Sequence, residues 1–323
     1  MMEPCKISIV VPCYNEEGNI HYLHDRIIAA LAGHEAYELI LVDDGSSDRT
    51  LATIVALAER NDKVKYFSFS RNFGHQNALK AGFDHASGDC VISMDADLQH
   101  PPELIGAMLD KWREGYDIVY TVRDDSHDTH LFKKITSSFF YRFINSCANL
   151  NLAQGGADFR LLDRAVVDEL KRINESVLFY RGLFGWLGFR QYGISYVPNE
   201  RFSGATKYSL RRMVAFALAG ITSFSVKPLH FATLAGFALS GLATLYALYA
   251  LYVYFFTDTA VAGWTSVLAS VLFIGGFQLI ILGIIGEYIG KMFIEVKRRP
   301  HYIVKETNMG TASGRCAGTR WIR

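Results

Sequence analysis

The sequence predicts an α/β protein: a domain on a mostly parallel sheet, then a membrane-interface segment and two membrane helices. Three observations lead there. From Lys6 to about Val197, short β-rich runs alternate with amphipathic stretches at helical spacing. After residue 213 the apolar content rises into two long charge-free segments. Polar, acidic turns follow the β-rich runs, at the strand ends where open α/β sheets bind ligands.

In chain order, the strand-like runs are Ile7–Val11, Leu39–Val42, Lys65–Phe69, Cys90–Met94 and Ile118–Tyr120. Between them lie helical stretches near Ile20–Leu31, Arg49–Ala58, Gln76–Ala86 and Pro102–Arg113. Strand, helix, strand in repetition gives a parallel sheet covered on both faces. The charge-free segments Phe231–Phe256 and Ala260–Gly286 are each long enough for a bilayer core, which takes roughly 20 residues. Thr257-Asp258-Thr259 between them allows only a tight hairpin. Basic residues flank the outer ends alone: Lys207, Arg211, Arg212 and Lys227 before, Lys291, Lys297, Arg298 and Arg299 after. The positive-inside rule then puts both termini and the α/β half on the cytoplasmic side of the inner membrane. Tyr208–Lys227 mixes cationic and apolar residues and reads as a helix lying in the interface. The expected boundaries are 1–200 for the α/β domain, 201–228 for the interface segment, 229–290 for the hairpin and 291–323 for a cytoplasmic tail. The tail after Lys305 is small and polar, and disorder is expected there.

Composition narrows the function classes. A net charge of +1 over 323 residues gives no global basic field for nucleic acid. Five scattered cysteines with no C-x-x-C pair argue against a disulfide framework or a zinc site. The first apolar run, Ile7–Cys13, is short and leads into Asn15, Glu16 and Glu17, so no secretory signal is expected. Two spans without an intramembrane charge give no transport pathway.

The chemistry-bearing residues cluster after the strands. Asp95-Ala96-Asp97-Leu98-Gln99 follows an apolar strand directly. Carboxylates at Asp95 and Asp97, with the neutral oxygen of Gln99, suit a hard Mg²⁺ or Mn²⁺ ion shared with substrate phosphates. Pro12-Cys13-Tyr14-Asn15-Glu16-Glu17 and Asp43-Asp44-Gly45-Ser46-Ser47-Asp48 end the first two strands. So many carboxylates on one sheet edge are explained by a cation and by hydroxyl or amide groups of a ligand. No G-x-G-x-x-G and no G-x-x-x-x-G-K-[ST] is present, which disfavours dinucleotide and ATP loops. His75, His100, His127 and His130 lack zinc-ligand spacing and are read as ordinary histidines.

These stretches, from Ile9 to Glu17, Val42 to Asp48 and Met94 to Pro101, resemble the family 2 glycosyltransferases. More narrowly the chain is similar to the polyisoprenyl-phosphate glycosyltransferases, among them dolichol-phosphate mannose synthases and bactoprenol glucosyltransferases, over about residues 6–300. The resemblance implies a GT-A nucleotide-binding domain, interface helices and a transmembrane hairpin, and a homo-oligomer. It implies that Pro12, Tyr14, Glu16, Asp43 and Asp95 line the nucleotide pocket. Asp95, Asp97 and Gln99 would hold metal and diphosphate. Gly155–Arg164 looks like the family's acceptor segment, which makes Asp158 the candidate base and Asp163 and Arg164 helix-start residues. Arg201-Phe202-Ser203-Gly204-Ala205-Thr206-Lys207 resembles the family's Arg-x-x-Gly-x-Ser-Lys signature, with Thr206 keeping the hydroxyl. Arg201, Ser203, Thr206 and Lys207 are therefore acceptor-phosphate candidates. Arg123, Lys133 and Lys134, flanking the polar stretch Asp124–His130, are candidate phosphate contacts.

The implied activity is inverting transfer of a sugar from a nucleotide diphosphate donor, with a UDP-sugar expected, to undecaprenyl phosphate. The product would serve cell-envelope glycan modification. Two alternatives stand beside it. A processive polysaccharide synthase would need a Gln-x-x-Arg-Trp element, for which Arg190-Gln191-Tyr192 is no substitute, and more spans. A non-enzymatic membrane scaffold would have no use for intact Asp95, Asp97, Gln99 and Asp158.

Overall fold

The computed structural model describes residues 5–123, 156–196, 225–256 and 263–309. The chain divides into two compact units, one holding the sheet and the residues from Pro300 on, the other the two long helices. In the first unit the strands are β1 (Ile7–Cys13), β2 (Tyr37–Asp43), β3 (Val64–Phe69), β4 (Cys90–Ser93), β5 (Ile118–Arg123), β6 (Gly156–Asp163), β7 (Gln191–Tyr196) and β8 (Val304–Thr307). The helices are α1 (Ile20–Ala30), α2 (Thr50–Arg60), α3 (His75–His85), α4 (Ile105–Arg113, entered through a 3-10 turn at Pro102–Leu104), α5 (Arg164–Arg172) and α6 (Tyr180–Trp186). All five expected strands and four expected helices are present. β6 and β7 lie beyond the runs that the sequence singled out.

One eight-stranded sheet has the order β7-β5-β6-β4-β1-β2-β3-β8. β1 pairs in parallel with β2 and β4, β2 with β3, and β5 with β7. β6 runs antiparallel between β4 and β5, and β8 antiparallel along β3. From β1 the chain winds first to β2 and β3, then returns to β4 on the other side. That reversal opens a crevice beyond the carboxyl ends of β1 and β4, where open α/β sheets take their ligands. Pro12–Glu16 and Asp95–Asp97 sit at those two ends.

The strands are apolar because both faces are covered. Ile7, Ile9 and Val11 pack with Leu23 and Ile27 of α1 and Ile54 of α2, all buried. On the other face Val10 meets α3 so closely that a Cβ at Gly82 would overlap the Val10 side chain. A helix-interior glycine costs about 1 kcal/mol against alanine, and here it lets helix and strand touch. At the opposite end of the sheet Glu38, 5% exposed, is fully engaged. Its Oε1 accepts from Ser8 Oγ (2.6 Å), Ser87 N (2.8 Å) and Ser87 Oγ (2.9 Å), and its Oε2 from Lys6 Nζ (3.2 Å).

The expectation of disorder beyond Lys305 is corrected through Met309. Phe67, Ser68 and Phe69 face Thr307, Glu306 and Val304 across β3 and β8. Asn308 Oδ1 accepts from Tyr66 N at 2.9 Å, and its Nδ2 donates to Val64 O at 3.0 Å. Without β8, β3 would present a row of unpaired backbone groups, and a short polar strand covers such an edge at no need of apolar pattern.

The second unit contains α7 (Lys227–Phe256) and α8 (Trp264–Val296). The expected span Phe231–Phe256 lies within α7, and the part of Ala260–Gly286 from Trp264 on lies within α8. Among the described residues one segment, Lys227–Tyr246, is long and apolar enough to cross a membrane, and little of it is buried. The connection Thr257–Thr259 and the expected interface helix up to residue 224 lie outside the described residues.

Candidate active site

A cavity of about 340 Å³ opens beyond β1, β2 and β4, lined by Pro12, Cys13, Tyr14, Glu16, Asp44, Asn72, Gly74, His75, Asp95, Ala96 and Asp97. The loops after β1 and β2 are tied together there. Asn15, at φ 56°, is turned into the left-handed region. Its N–H donates to Ser46 Oγ (3.0 Å) and its Oδ1 accepts from Ser47 N (2.9 Å). Glu16 N donates to Thr50 Oγ1 at 2.8 Å, and Glu17 Oε2 accepts from Arg49 N at 2.9 Å. Tyr14 is left 48% exposed at the rim, where an aromatic face can receive a base.

Asp43 and Asp44 take different parts. Asp43 is 1% exposed and is not among the cavity's lining residues; its Oδ1 accepts from Ser46 N (3.0 Å) and its Oδ2 from Ser68 Oγ (2.8 Å). Asp44 lines it instead, with its two oxygens accepting from Phe73 N (2.7 Å) and Gly74 N (2.9 Å). Asp44 thereby holds the 70–74 loop, and Gly45 (φ 68°) packs against the backbone of Arg71 and Asn72 with no room for a Cβ.

Asp95 stands in the cavity wall with His75 Nε2 at 2.8 Å from its Oδ1. Burial opposes the Asp95 charge, but the His75 hydrogen bond and charge, with His100 and Arg181 behind them, outweigh it and pull the carboxyl down to about 2. Burial likewise works against the His75 cation, and Asp95 more than offsets it, so the imidazole is raised. His100 stacks on Phe159 at 5.5 Å, and its Nδ1 accepts from Asp95 N at 3.2 Å. Asp97 Oδ1 accepts from Gln99 N at 3.1 Å. The turn between them holds Leu98 at φ 62°, a strained conformation for a non-glycine residue and of a kind that clusters at functional sites. The Gln99 side chain is not among the cavity's lining groups. Glu16 is raised by burial and by its acidic neighbours Asp97, Asp48 and Asp95, with Asn19 opposing. The carboxylates of Glu16, Asp97, Asp48 and Asp95 are thus near enough to oppose one another's charge.

Asp158 lies on β6 beside β4, its carbonyl accepting from Ser93 Oγ at 2.8 Å. Its carboxylate is gripped by Arg181 of α6, Nε to Oδ1 at 2.8 Å and Nη2 to Oδ2 at 2.9 Å. Both residues are near enough to act electrostatically on His75. Two positions along β6, Arg160 is 6% exposed, with its guanidinium over Phe184 (4.8 Å) and Tyr120 (5.4 Å). Burial brings the Arg160 pKa down to about 10. Asp163 begins α5 as expected, accepting from Ala165 N at 2.8 Å.

Of the expected site residues, Pro12, Tyr14, Glu16, Asp95 and Asp97 meet around one cavity. Arg123 closes β5, opposite Tyr196, with its side chain outside the described residues. Lys133, Lys134, Arg201, Ser203, Thr206 and Lys207 also lie outside them. Sequence reading gave Asn72 and Arg181 no part here, took His75 and His100 as ordinary histidines, and placed Asp43 rather than Asp44 at the pocket. Only Asp44, adjoining Asp43 in an acidic turn, carried a local signal. Among the described residues no three His, Cys, Asp or Glu side chains form a metal-holding group.

The family model for glycosyl transferase family 2 matches residues 8–171, which takes in every loop around this cavity. The uncharacterized glycosyltransferase YkcC of Bacillus subtilis is 45% identical over 95% of this chain and 95% of its own. A bactoprenol glucosyl transferase of Shigella phage SfII is 40% identical over 94% of this chain and 99% of its own. Among solved structures, the mannosyltransferase PcManGT from Pyrobaculum calidifontis, in complex with GDP-Man and Mn²⁺, is 18% identical. It covers 69% of this chain and 64% of that one at a TM-score of 0.48, too low to bear on the site. With a model match over half its length and such relatives over nearly all of it, the chain belongs to glycosyl transferase family 2.

Proposed function

We propose that this protein transfers a sugar, with inversion, from a nucleoside diphosphate donor to a polyisoprenyl phosphate such as undecaprenyl phosphate. A UDP-sugar is the donor we favour. The observation that carries the reading is the meeting of three loop ends, at Tyr14–Glu16, Asp44 and Asp95–Asp97, around a cavity at the switch point of a parallel sheet. The family membership supports glycosyl transfer, and the phage relative's name supports a bactoprenol acceptor.

In this reading Tyr14 receives the base. A divalent cation fits Asp95 and Asp97: their donor set is all oxygen, and Mg²⁺ is usually bound by one or two carboxylates, waters and substrate phosphates rather than by a protein cage. Gln99 joins the set if its amide turns inward. Bound there, the ion would supply Lewis-acid neutralisation of the departing diphosphate. His75 orients the Asp95 carboxylate through its Oδ1. Asp158, held by Arg181, orients the acceptor or takes its residual proton. A phosphate monoester is largely dianionic at neutral pH, so it needs less help than a sugar hydroxyl. One acceptor oxygen bonds to the anomeric carbon as the bond from that carbon to the diphosphate breaks, which inverts the centre. Arg123, Lys133, Lys134, Arg201, Ser203, Thr206 and Lys207 are proposed to gather the acceptor phosphate.

We assign α7 and α8 to a transmembrane hairpin in the inner membrane, with the sheet domain cytoplasmic and the protein a homo-oligomer. Radiolabelled UDP-glucose, UDP-N-acetylglucosamine, UDP-galactose and GDP-mannose offered to membranes with undecaprenyl phosphate test the function. Label should enter the lipid extract from one donor, and only with metal. Asp158→Asn should cut turnover far more than donor affinity. No labelled lipid from any donor would overturn the reading.

A further inference from the structure

The segment that follows α8 does more than cover the β3 edge. Backbone pairing from Val304 to Thr307 suffices for that. Tyr302 precedes the strand, and its ring lies flat on Phe69, 5.1 Å between centroids at 13°. Next to it, Ile303 O accepts from Ser70 N at 3.0 Å. Phe69 in turn meets Phe73 edge-on at 5.8 Å, and Phe73 N is the donor that Asp44 holds. The loop so fixed contributes Asn72, Gly74 and His75 to the cavity.

The Tyr302 hydroxyl reaches the far end of the next element. It donates to Asp84 Oδ2 at 3.2 Å, while Asp84 Oδ1 accepts from Lys80 Nζ at 2.6 Å. Lys80 and Asp84 are on α3, whose first residue, His75, holds Asp95. Its second residue, Gln76, accepts from Tyr180 N at 3.1 Å, one residue before the Arg181 that grips Asp158. Tyr302 therefore touches Phe69, where β3 passes into the 70–74 loop, and the last turn of α3. Between these points His75 contacts Asp95, and Gln76 holds Tyr180, the neighbour of the Arg181 that grips Asp158.

We propose that Tyr302 is a positioning residue for the nucleotide cavity, its ring fixing the 69–74 loop and its hydroxyl fixing α3. The proposal rests on reading that cavity as the donor site. The C-terminal segment is then part of the donor-binding apparatus, and its loss disturbs nucleotide affinity.

The test uses the full-length protein in detergent, with UDP and, separately, GDP, each with MnCl₂, titrated calorimetrically against wild type, Tyr302→Ala and Tyr302→Phe. Donor KM and kcat are measured beside them. Tyr302→Ala should bind the nucleotide about tenfold more weakly, the scale of a lost aromatic pair plus a hydrogen bond. Donor KM should rise in parallel, with kcat at saturating donor within about threefold of wild type. Tyr302→Phe keeps the stack and should recover most of the affinity. An element that is only structural would lower the unfolding temperature and leave nucleotide affinity below that temperature unchanged. Tyr302→Leu keeps apolar bulk without the planar stack and replaces Tyr302→Ala if the latter does not fold, with the same split expected. Wild type that binds nucleotide while the Ala or Leu variant binds it equally overturns the proposal alone. Wild type that binds neither nucleotide overturns the reading of the cavity, and the proposal with it.

Discussion

Arg181 grips Asp158 through two parallel hydrogen bonds, 2.8 and 2.9 Å, with the carboxylate only 16% exposed. A planar guanidinium matches both oxygens at once and fixes the plane of the carboxylate. A lysine in its place offers a single charged point.

Arg181→Ala should therefore lower turnover by about 10- to 100-fold, and Arg181→Lys should recover only part of that. Donor KM should move little if Asp158 serves the acceptor side, as proposed. Steady-state kinetics with varied donor and fixed lipid separate the two; wild-type turnover in Arg181→Ala would remove the pair from the mechanism.

Chelation should abolish transfer, and Mn²⁺ or Mg²⁺ should restore it. Asp97→Asn keeps the size of the side chain but removes its negative charge, leaving one neutral amide oxygen, and should cost about 100-fold or more in transfer rate. Transfer in chelator at the rate found with metal would rule out a cation at Asp95 and Asp97.

Glu38 sets a pH dependence far from the site. Burial opposes its charge, yet Ser8, Ser87 and Lys6 together hold the carboxyl below the usual glutamate value. A carboxyl lowered on folding contributes stability above its unfolded value, about 4.3, and loses it as pH falls through the lower folded value. Glu38→Gln should destabilise the protein by about 1 kcal/mol at neutral pH. The gap between the two melting curves should close as the pH is brought below the folded value. A gap that widens on acidification would contradict this assignment.

Gly82→Ala drives a methyl group into Val10, which is fully buried. The expected cost is about 1–3 kcal/mol, as for other overpacked cores. Adding Val10→Ala makes room, so the double variant should be more stable than the sum of the singles predicts. Additive thermal shifts would mean that α3 moves away freely.

The parallel core and its three loops were legible because their signals are local. Apolar runs such as Ile7–Val11, ending in Pro, Asp or Gly, announce a buried strand and the turn that follows. Asp163 as a helix start was legible for the same reason: its side chain bonds a backbone N–H two residues on. β8 was not legible, because Val-Lys-Glu-Thr has no apolar alternation and gains its order from an edge more than 230 residues away, as in Tyr66 N to Asn308 Oδ1.

The sequence by itself determined the first five strands, the acidic loops that follow them, and that Asp95 and Asp97 stand at a strand end. Only the tertiary structure decided which groups face them. Asp44 lines the cavity and faces Phe73 N and Gly74 N, whereas Asp43 faces Ser46 N and Ser68 Oγ. His75 reaches Asp95 across 20 positions and Arg181 reaches Asp158 across 23, because the sheet order lays β4 between β1 and β6. Hydrogen bonding depends on distances of about 3 Å in space, and separation along the chain carries no record of them.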